Sequence, residues 1–268
     1  MKVMVMNSGS SSVKFQQTLP SSACHYAIPE YLYRDHGVRR YGFHGTSDQY
    51  VGERAAAVLG KPCAACNLIT LHLGKGASVT AIRGGRSVDT LMGMTPLEGL
   101  VMGARSGDID PAILMFAAKN LGLSNQALDD LHNRQSGLGG LCGVNDMREI
   151  HRLAGEGDAG AELAIGLMVQ RIRKCIGAYY AELGRVDAIV FTGGIGENDA
   201  QVRRLVGDGL AGLGVAMDDA ANRATARGER VISAAHSPVK VLVIPTNAEL
   251  AIARQALAAV GGCPRTVP

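Results

Sequence analysis

The sequence predicts an α/β fold built on a repeated strand–turn–strand unit. Three observations carry that expectation. The short apolar strand Val3–Met6 runs into N-S-G-S-S-S-V-K-F at 7–15, a turn of small residues followed by a second strand. The pattern returns as L-H-L-G-K-G-A-S-V-T-A at 71–81, where Ser12-Val13 falls on Ser78-Val79. Apolar runs such as Asp187–Thr192 then alternate with helical patterns, of which Ala161–Leu183 is the clearest. A turn of Gly and Ser between strands lets backbone N–H groups approach an anion closely. Two such hairpins suggest two loops facing one polyphosphate.

Each element follows in turn. Val3–Met6 and Ser11–Gln16 form the first hairpin. Tyr26–Tyr33 is expected to be a short helix near Pro29, and Gln49–Leu59 an Ala-rich helix. Asn67–Leu73 and Ala77–Arg83 form the second hairpin, after which Gly84-Gly85 turns the chain. Pro111–Asn120 opens with proline after Asp110, a good helix start. In Ala161–Leu183 an apolar face is expected from Leu163, Leu167, Ile172, Cys175, Ile176, Tyr179 and Leu183. Asp187–Thr192 reads as a buried strand ending at Gly193-Gly194, Val239–Ile244 as the last strand, and Glu249–Val260 as a closing helix.

Composition bounds the class. The 268 residues are 47% hydrophobic and 19% charged, enough for a large core and against disorder. The net charge of +3 is carried by scattered Lys and Arg, so no nucleic-acid partner is expected. No run of about 20 apolar residues suggests a membrane span. Six irregularly spaced cysteines fit reduced thiols and a cytoplasmic setting. Cys63-Ala-Ala-Cys66 lacks a second ligand pair for zinc and reads as two half-buried thiols before a strand. His25, His36, His132, His151 and His236 read as solvated loop residues.

The doubled hairpin has the logic of the actin, hexokinase and Hsp70-like phosphotransferases, a ribonuclease H-like fold. Four longer motifs follow in order: R-R-Y-G-F-H-G-T-S (39–47), P-L-E-G-L-V-M-G-A-R-S-G-D-I-D-P-A (96–112), F-T-G-G-I-G-E-N (191–198) and V-I-P-T-N (243–247). Together they resemble the acetate kinase family of carboxylate phosphotransferases, from Met1 to Ala258. The resemblance implies a duplicated fold with the first domain largely deleted. Phe15-Gln16 runs straight into Gln17-Thr18-Leu19-Pro20, where the family inserts roughly 130 residues, about one small domain. A substrate-binding Arg, a nearby His and an Asp that the family carries there have no counterpart. Residues 1–17 and 248–268 would be the remnant of the first domain, and 18–247 the nucleotide-binding second domain.

Phosphoryl transfer to a carboxylate brings two anions together, so the protein must neutralise charge and hold the groups in line. Arg105, in a tight Gly-rich loop, offers paired donors that stay charged; on its own it reads equally as a surface arginine paired with Asp108 or Asp110. The resemblance assigns it to the transferring phosphoryl, with His44 as hydrogen-bond donor. It assigns Lys14 to a phosphate and Asn7 to Mg²⁺. His72, Leu73, Gly74, Lys75 and Gly76 would cradle phosphates, with Lys75 standing where the family has Asn. Gly193, Gly194, Ile195, Gly196 and Glu197 sit at a strand end leading into a helix, where N–H groups attract anions. Asp146, Met147 and Arg148 match the adenine-side motif. The family's first Glu of N-E-E-L, associated with Mg²⁺, is Ala248, and Glu249 lies about 100° away on a helix.

The implied reaction is ATP plus acetate giving ADP and acetyl phosphate, with propionate as close alternative, in a homodimer. The alternative is a catalytically impaired, nucleotide-binding dimeric remnant.

Overall fold

The computed structural model describes residues 19–253. In chain order the elements are α1 (Ser21–Cys24), α2 (Glu30–His36), α3 (Gly45–Val58), β1 (Asn67–Leu73), β2 (Ala77–Arg83), β3 (Arg86–Thr90), α4 (Ala112–Leu121), α5 (Asn125–Arg134), α6 (Gly137–Cys142) and α7 (Met147–Gly155). They continue with α8 (Ala159–Leu183), β4 (Ala188–Thr192), α9 (Gly193–Asn198), α10 (Ala200–Asp208), α11 (Asp219–Arg223), β5 (Arg230–Val231) and β6 (Lys240–Val243). Residues 248–253 are helical. The first hairpin, and with it the duplication, lies outside the described residues, as does most of the expected closing helix.

The strands form one mixed sheet in the order β3-β2-β1-β4-β6-β5. The β1–β2 hairpin and its neighbour β3 are antiparallel, while β1, β4 and β6 run parallel. This is the expected α/β class. Strand side chains alternate faces. Ile69, Leu71 and Leu73 of β1 join Ile189, Phe191, Val241 and Val243 under α8. Leu68, Ala188, Val190 and Leu242 point the other way and pack on Val51, Ala55 and Ala56 of α3. Both faces are covered, which is why the parallel strands read as continuous apolar runs.

The register of α3 is fixed by a buried carboxylate. Asp48 accepts from Thr70 Oγ1 at 2.8 Å and Thr80 Oγ1 at 2.9 Å, tying the helix to β1 and β2. Just ahead of the helix, Arg40 Nη1 donates to Asp89 Oδ1 at 2.8 Å and to the Thr90 carbonyl at 3.0 Å. The segment between, which carries His44, is therefore held at both ends.

Five expectations need correction. The helix foreseen at Tyr26–Tyr33 starts only at Glu30, behind Pro29 at its N-cap, and reaches His36; proline disfavours helix in the residue before it. Leu163 is not on the buried stripe of α8 but 53% exposed; Ala161, Ala164, Ile165 and Met168 fill that face. His132 is buried on α5. His151 sits on α7 and pairs with Asp199 at 2.7 Å. Asp158 caps α8 by accepting from Ala161 N at 2.7 Å, so the helix begins two residues before the apolar pattern. The Cys63–Cys66 pair brackets a short 3₁₀ turn before β1, with Cys66 buried and Cys63 half-buried.

Candidate active site

The carboxyl ends of β1, β4 and β6 meet at one edge of the sheet, the place where open α/β sheets bind ligands. Strand β1 ends at Leu73 and turns back through Gly74, Lys75 and Gly76. The next turn, after β4, is Gly193-Gly194. A Cβ on Gly193 (φ +78°) would stand 2.7 Å from the Leu73 carbonyl oxygen, and one on Gly74 would stand 4.0 Å from Gly194 N. Only glycine lets these two turns come so close. A Cβ on Gly194 would meet nothing within 4 Å, so this residue faces open space.

His44 and Arg105 arrive at the same edge. A Cβ on Gly76 would lie 3.5 Å from Arg105 Nη1 and 3.9 Å from His44 Cε1. The alternative for Arg105, a pairing with Asp108 or Asp110, is overturned. Asp108 accepts from Gly99 N and Asp110 from Ala112 N, both at 2.8 Å, while Arg105 Nη1 donates to Met102 Sδ at 3.7 Å. The Arg105 loop is built from backbone: Met102 N donates to the Arg105 carbonyl, Ser106 N to that of His132, and Ser136 N to that of Ala104. Gly137 (φ +65°) closes against it, for a Cβ there would stand 2.1 Å from the Met102 carbonyl oxygen.

His44 is the one non-glycine residue with positive φ among the described residues, at +62°, and it sits at the N-cap of α3. Such backbone costs about 1–3 kcal/mol and marks a position that surroundings over-determine. The surroundings are plain. His44 Nδ1 lies 2.7 Å from Ser78 Oγ, and its ring stacks on His72 with centroids 3.9 Å apart and planes 11° off parallel. Burial, with His72 and Arg105 adding to it, drives the His44 pKa down to about 3; burial takes His72 to about 4. Both rings are neutral at ordinary pH. The His72 Nδ1 is 3.0 Å from Ser47 Oγ, which is 2.7 Å from Thr246 Oγ1. His72 thus presents a ring face to His44 and one nitrogen to Ser47.

The Gly193–Glu197 turn is partly self-satisfied. Glu197 Oε1 accepts from Gly193 N at 3.0 Å and from Thr246 N at 3.1 Å. The Gly193 N–H is therefore spent, and Gly194, which is exposed, carries the turn's outward face while Ile195 packs against the core. Behind it, buried Arg203 donates to the Gly196 carbonyl at 2.9 Å and to Asn222, and Arg230 donates to the Glu197 carbonyl at 3.1 Å. Burial pushes the Arg203 guanidinium down to about 10. Asp146 caps α7, and Arg148 folds back on it with Nε and Nη2 at 3.0 and 2.6 Å. One turn on, His151 reaches Asp199, which caps α10 immediately after the glycine turn. This pair joins the Asp146–Arg148 end of α7 to the turn at Gly193–Glu197.

Sequence reasoning missed Ser47, Ser78, His151, Arg203 and Thr246. Thr246 and Ser47 lay inside quoted motifs; Arg203 and His151 left no local signal. Asn7 and Lys14 lie outside the described residues. No three His, Cys, Asp or Glu converge as a metal site among the described residues, Ala248 has no ligand atom, Glu249 is exposed, and Glu197 Oε1 is engaged by two N–H groups. Two other hollows, one lined by Asp48, Glu53 and Cys63 and one by Tyr26, Met94 and Glu98, touch none of this cluster.

Comparison with known proteins gives one consistent result. Residues 13–254 match the Acetokinase family. An acetate kinase of Syntrophobacter fumaroxidans is 57% identical over 243 residues, 91% of this chain and 59% of that protein. One from Clavibacter sepedonicus is 55% identical over 92% of this chain and 62% of its own. The crystal structure of Porphyromonas gingivalis acetate kinase superposes with a TM-score of 0.89 at 42% identity, covering 92% of this chain and 62% of that one. A propionate kinase from Francisella tularensis gives 0.84 at 46% identity, covering 90% and 61%. The chain belongs to the acetokinase family. It spans about three-fifths of the length of the curated relatives it matches.

Proposed function

We propose that this member of the acetokinase family binds ATP or ADP at the carboxyl ends of β1, β4 and β6 and presents Arg105 and His44 to the transferring phosphoryl group. The observation that carries the reading is the convergence of Arg105, His44 and Gly76 on one open edge, with no carboxylate paired to Arg105 among the described residues. In the reaction a carboxylate oxygen of acetate or propionate attacks the γ-phosphorus. The bond from phosphorus to the β,γ-bridging oxygen breaks, and ADP leaves with the electron pair, giving an acyl phosphate. No proton needs to move, so catalysis rests on positioning and charge. A guanidinium supplies paired donors to the equatorial oxygens. His44 is neutral, and in the tautomer whose Nδ1 accepts from the Ser78 hydroxyl the ring proton is on Nε2, free to donate to the phosphoryl group. Gly194, Ile195, Lys75 and Gly76 offer N–H groups to the phosphates, while the Gly74 N–H closes its own turn on the Gly76 carbonyl, and Asp146–Arg148 border the nucleoside side. Mg²⁺ would enter with the nucleotide, neutralising phosphate charge.

We assign residues 18–247 to the nucleotide-binding domain and 1–17 with 248–268 to the remnant of the first. The acceptor-side Arg, His and Asp implied by the resemblance have no match in this sequence, so this chain should bind nucleotide but turn over slowly. A coupled assay with ATP and acetate tests this. Turnover far below the usual range of about 1–10³ s⁻¹ is expected, and turnover within it would overturn the impaired reading. A homodimer is supported by α4, whose Met115 and Phe116 are 71% and 58% exposed beside Ile113 and Leu121; such a patch favours an interface. Light scattering should give twice the chain mass, and Met115→Lys should halve it. Five free cysteines among the described residues support a reducing, cytoplasmic setting.

A further inference from the structure

Helices α7 and α10 both pack on α8, and a largely buried polar contact joins them. His151 Nε2 donates to Asp199 Oδ2 at 2.7 Å, with side chains 18% and 11% exposed. A carboxylate only accepts, so the ring proton is on Nε2. Nδ1 is buried without a hydrogen-bond partner among the described residues, which leaves Asp199 as the polar anchor of this ring. Asp199 in turn holds the glycine turn. Its N–H donates to the Ile195 carbonyl at 2.9 Å, and its Oδ1 accepts from Val202 N at 2.9 Å as the N-cap of α10. A cap needs one oxygen, which serine or asparagine would supply as well. The second oxygen and the histidine are surplus to the helix.

The other end of the same segment meets the Arg105 loop. Asn145 Cβ lies 3.6 Å from where a Gly103 Cβ would stand, and Gly139 N, on the helix before it, donates to the Gly103 carbonyl at 2.9 Å. Residues 145–151 are therefore tied to the loop that carries Arg105 on one side and to the turn at 193–197 on the other. Met147 and Ile150 are buried between these ties, so the start of α7 is fixed from three directions.

We propose that His151 and Asp199 are positioning residues that set the Asp146–Arg148 end of α7 in register with the glycine turn, so that one nucleoside diphosphate engages both. The inference rests on the nucleotide reading of the cleft. A ligand spanning two subsites gains fully from each only when their separation is fixed beforehand. A ligand that reaches the turn alone gains nothing from the pair, and inorganic pyrophosphate is such a ligand. Calorimetric titration with ADP and with pyrophosphate tests this on the wild-type chain, His151→Leu, His151→Gln and Asp199→Ser. His151→Leu should lose about tenfold in ADP affinity, the scale of one charge-assisted hydrogen bond, with pyrophosphate affinity unchanged. His151→Gln, which keeps an N–H donor for Asp199, should stay close to wild type. Asp199→Ser keeps the cap of α10, so its Tm should stay near wild type while it shows the same selective loss for ADP. Combining His151→Leu with Asp199→Ser should cost no more than either change alone. Wild-type ADP affinity in His151→Leu, or equal losses for ADP and pyrophosphate, would overturn the inference and leave the nucleotide reading standing. Absence of ADP binding to the wild-type chain would sink both.

Discussion

The two ends of β1 and β4 handle charge in opposite ways. At the amino ends, Asp187 collects every partner within reach: Lys61 Nζ at 2.8 Å, Arg185 Nη1 at 2.9 Å and the Asn67 N–H at 2.8 Å. Burial alone would raise its carboxyl, but those donors outweigh it and hold the pKa below the ordinary value. At the carboxyl ends, neither Lys75 nor Arg105 pairs with a carboxylate among the described residues, His44 has strained backbone, and two imidazoles are kept neutral by burial. The first end is built for stability. The second stores unmet interactions, as a binding site must.

The contrast breaks most visibly at adjacent glycines. Gly193→Val would push a side chain into the Leu73 carbonyl at a positive φ, costing about 1–3 kcal/mol from conformation and more from overlap. Thermal denaturation should show a large fall in Tm. Gly194→Phe, which faces open space, should leave Tm near wild type while removing ADP binding measured by calorimetry. Wild-type affinity in that variant would refute the phosphate assignment of this turn.

A paired exchange comes next. Asp187→Ala strips three donors of their acceptor and should lower stability by about 1–3 kcal/mol, with ADP affinity unchanged. Arg105→Gln should do the reverse, leaving urea stability unaltered while affinity drops about tenfold or more. If Arg105→Gln instead unfolds the chain, Arg105 is structural.

Acid separates the ends by pH window. His44 and His72 have folded pKa values below the ordinary 6.5, so the unfolded chain takes up protons that the folded chain refuses. Their contribution is complete above about pH 6.5 and is lost as pH falls toward their folded values of about 3 and 4. The slope is up to about 1.4 kcal/mol per pH unit for each ring. Asp187, with a lowered pKa, contributes above about pH 3.9 and loses that contribution only as pH falls through its folded value. Between pH 6.5 and 5, denaturation midpoints should fall in the wild type and stay flatter in His44→Asn.

The smallest effect concerns Thr246. Thr246→Val removes the hydroxyl that meets Ser47 and should cost about 1 kcal/mol. It should also move the His72 ring-nitrogen resonances, because Ser47 loses one of its two partners. Unmoved resonances would mean that Ser47 holds His72 unaided.

The sequence made the second hairpin legible to the residue, because Gly74-Lys-Gly76 and Gly84-Gly85 bound two apolar runs. It also placed His44, Arg105 and the glycine turns within one expected site, and the structure puts them at one strand edge. It left α5 and α7 unread, although Ser124 and Asp146 cap them and Met147, Ile150 and Leu153 recur at helical spacing along α7. Leu163 misled because an apolar residue on a helix does not say which neighbour will cover it. Arg203 was invisible for a related reason: a buried cation serving carbonyls of a distant turn leaves no local pattern.

The central claim is that nucleotide binds at the carboxyl ends of the strands and nowhere near the amino ends. Amide hydrogen exchange of the chain with and without saturating ADP tests it most directly. Protection should rise at 73–76, 103–106 and 193–197, with 61–67 and 185–188 unchanged. Protection centred on the Asp187 end, or no change at either glycine turn while ADP is bound, would contradict it.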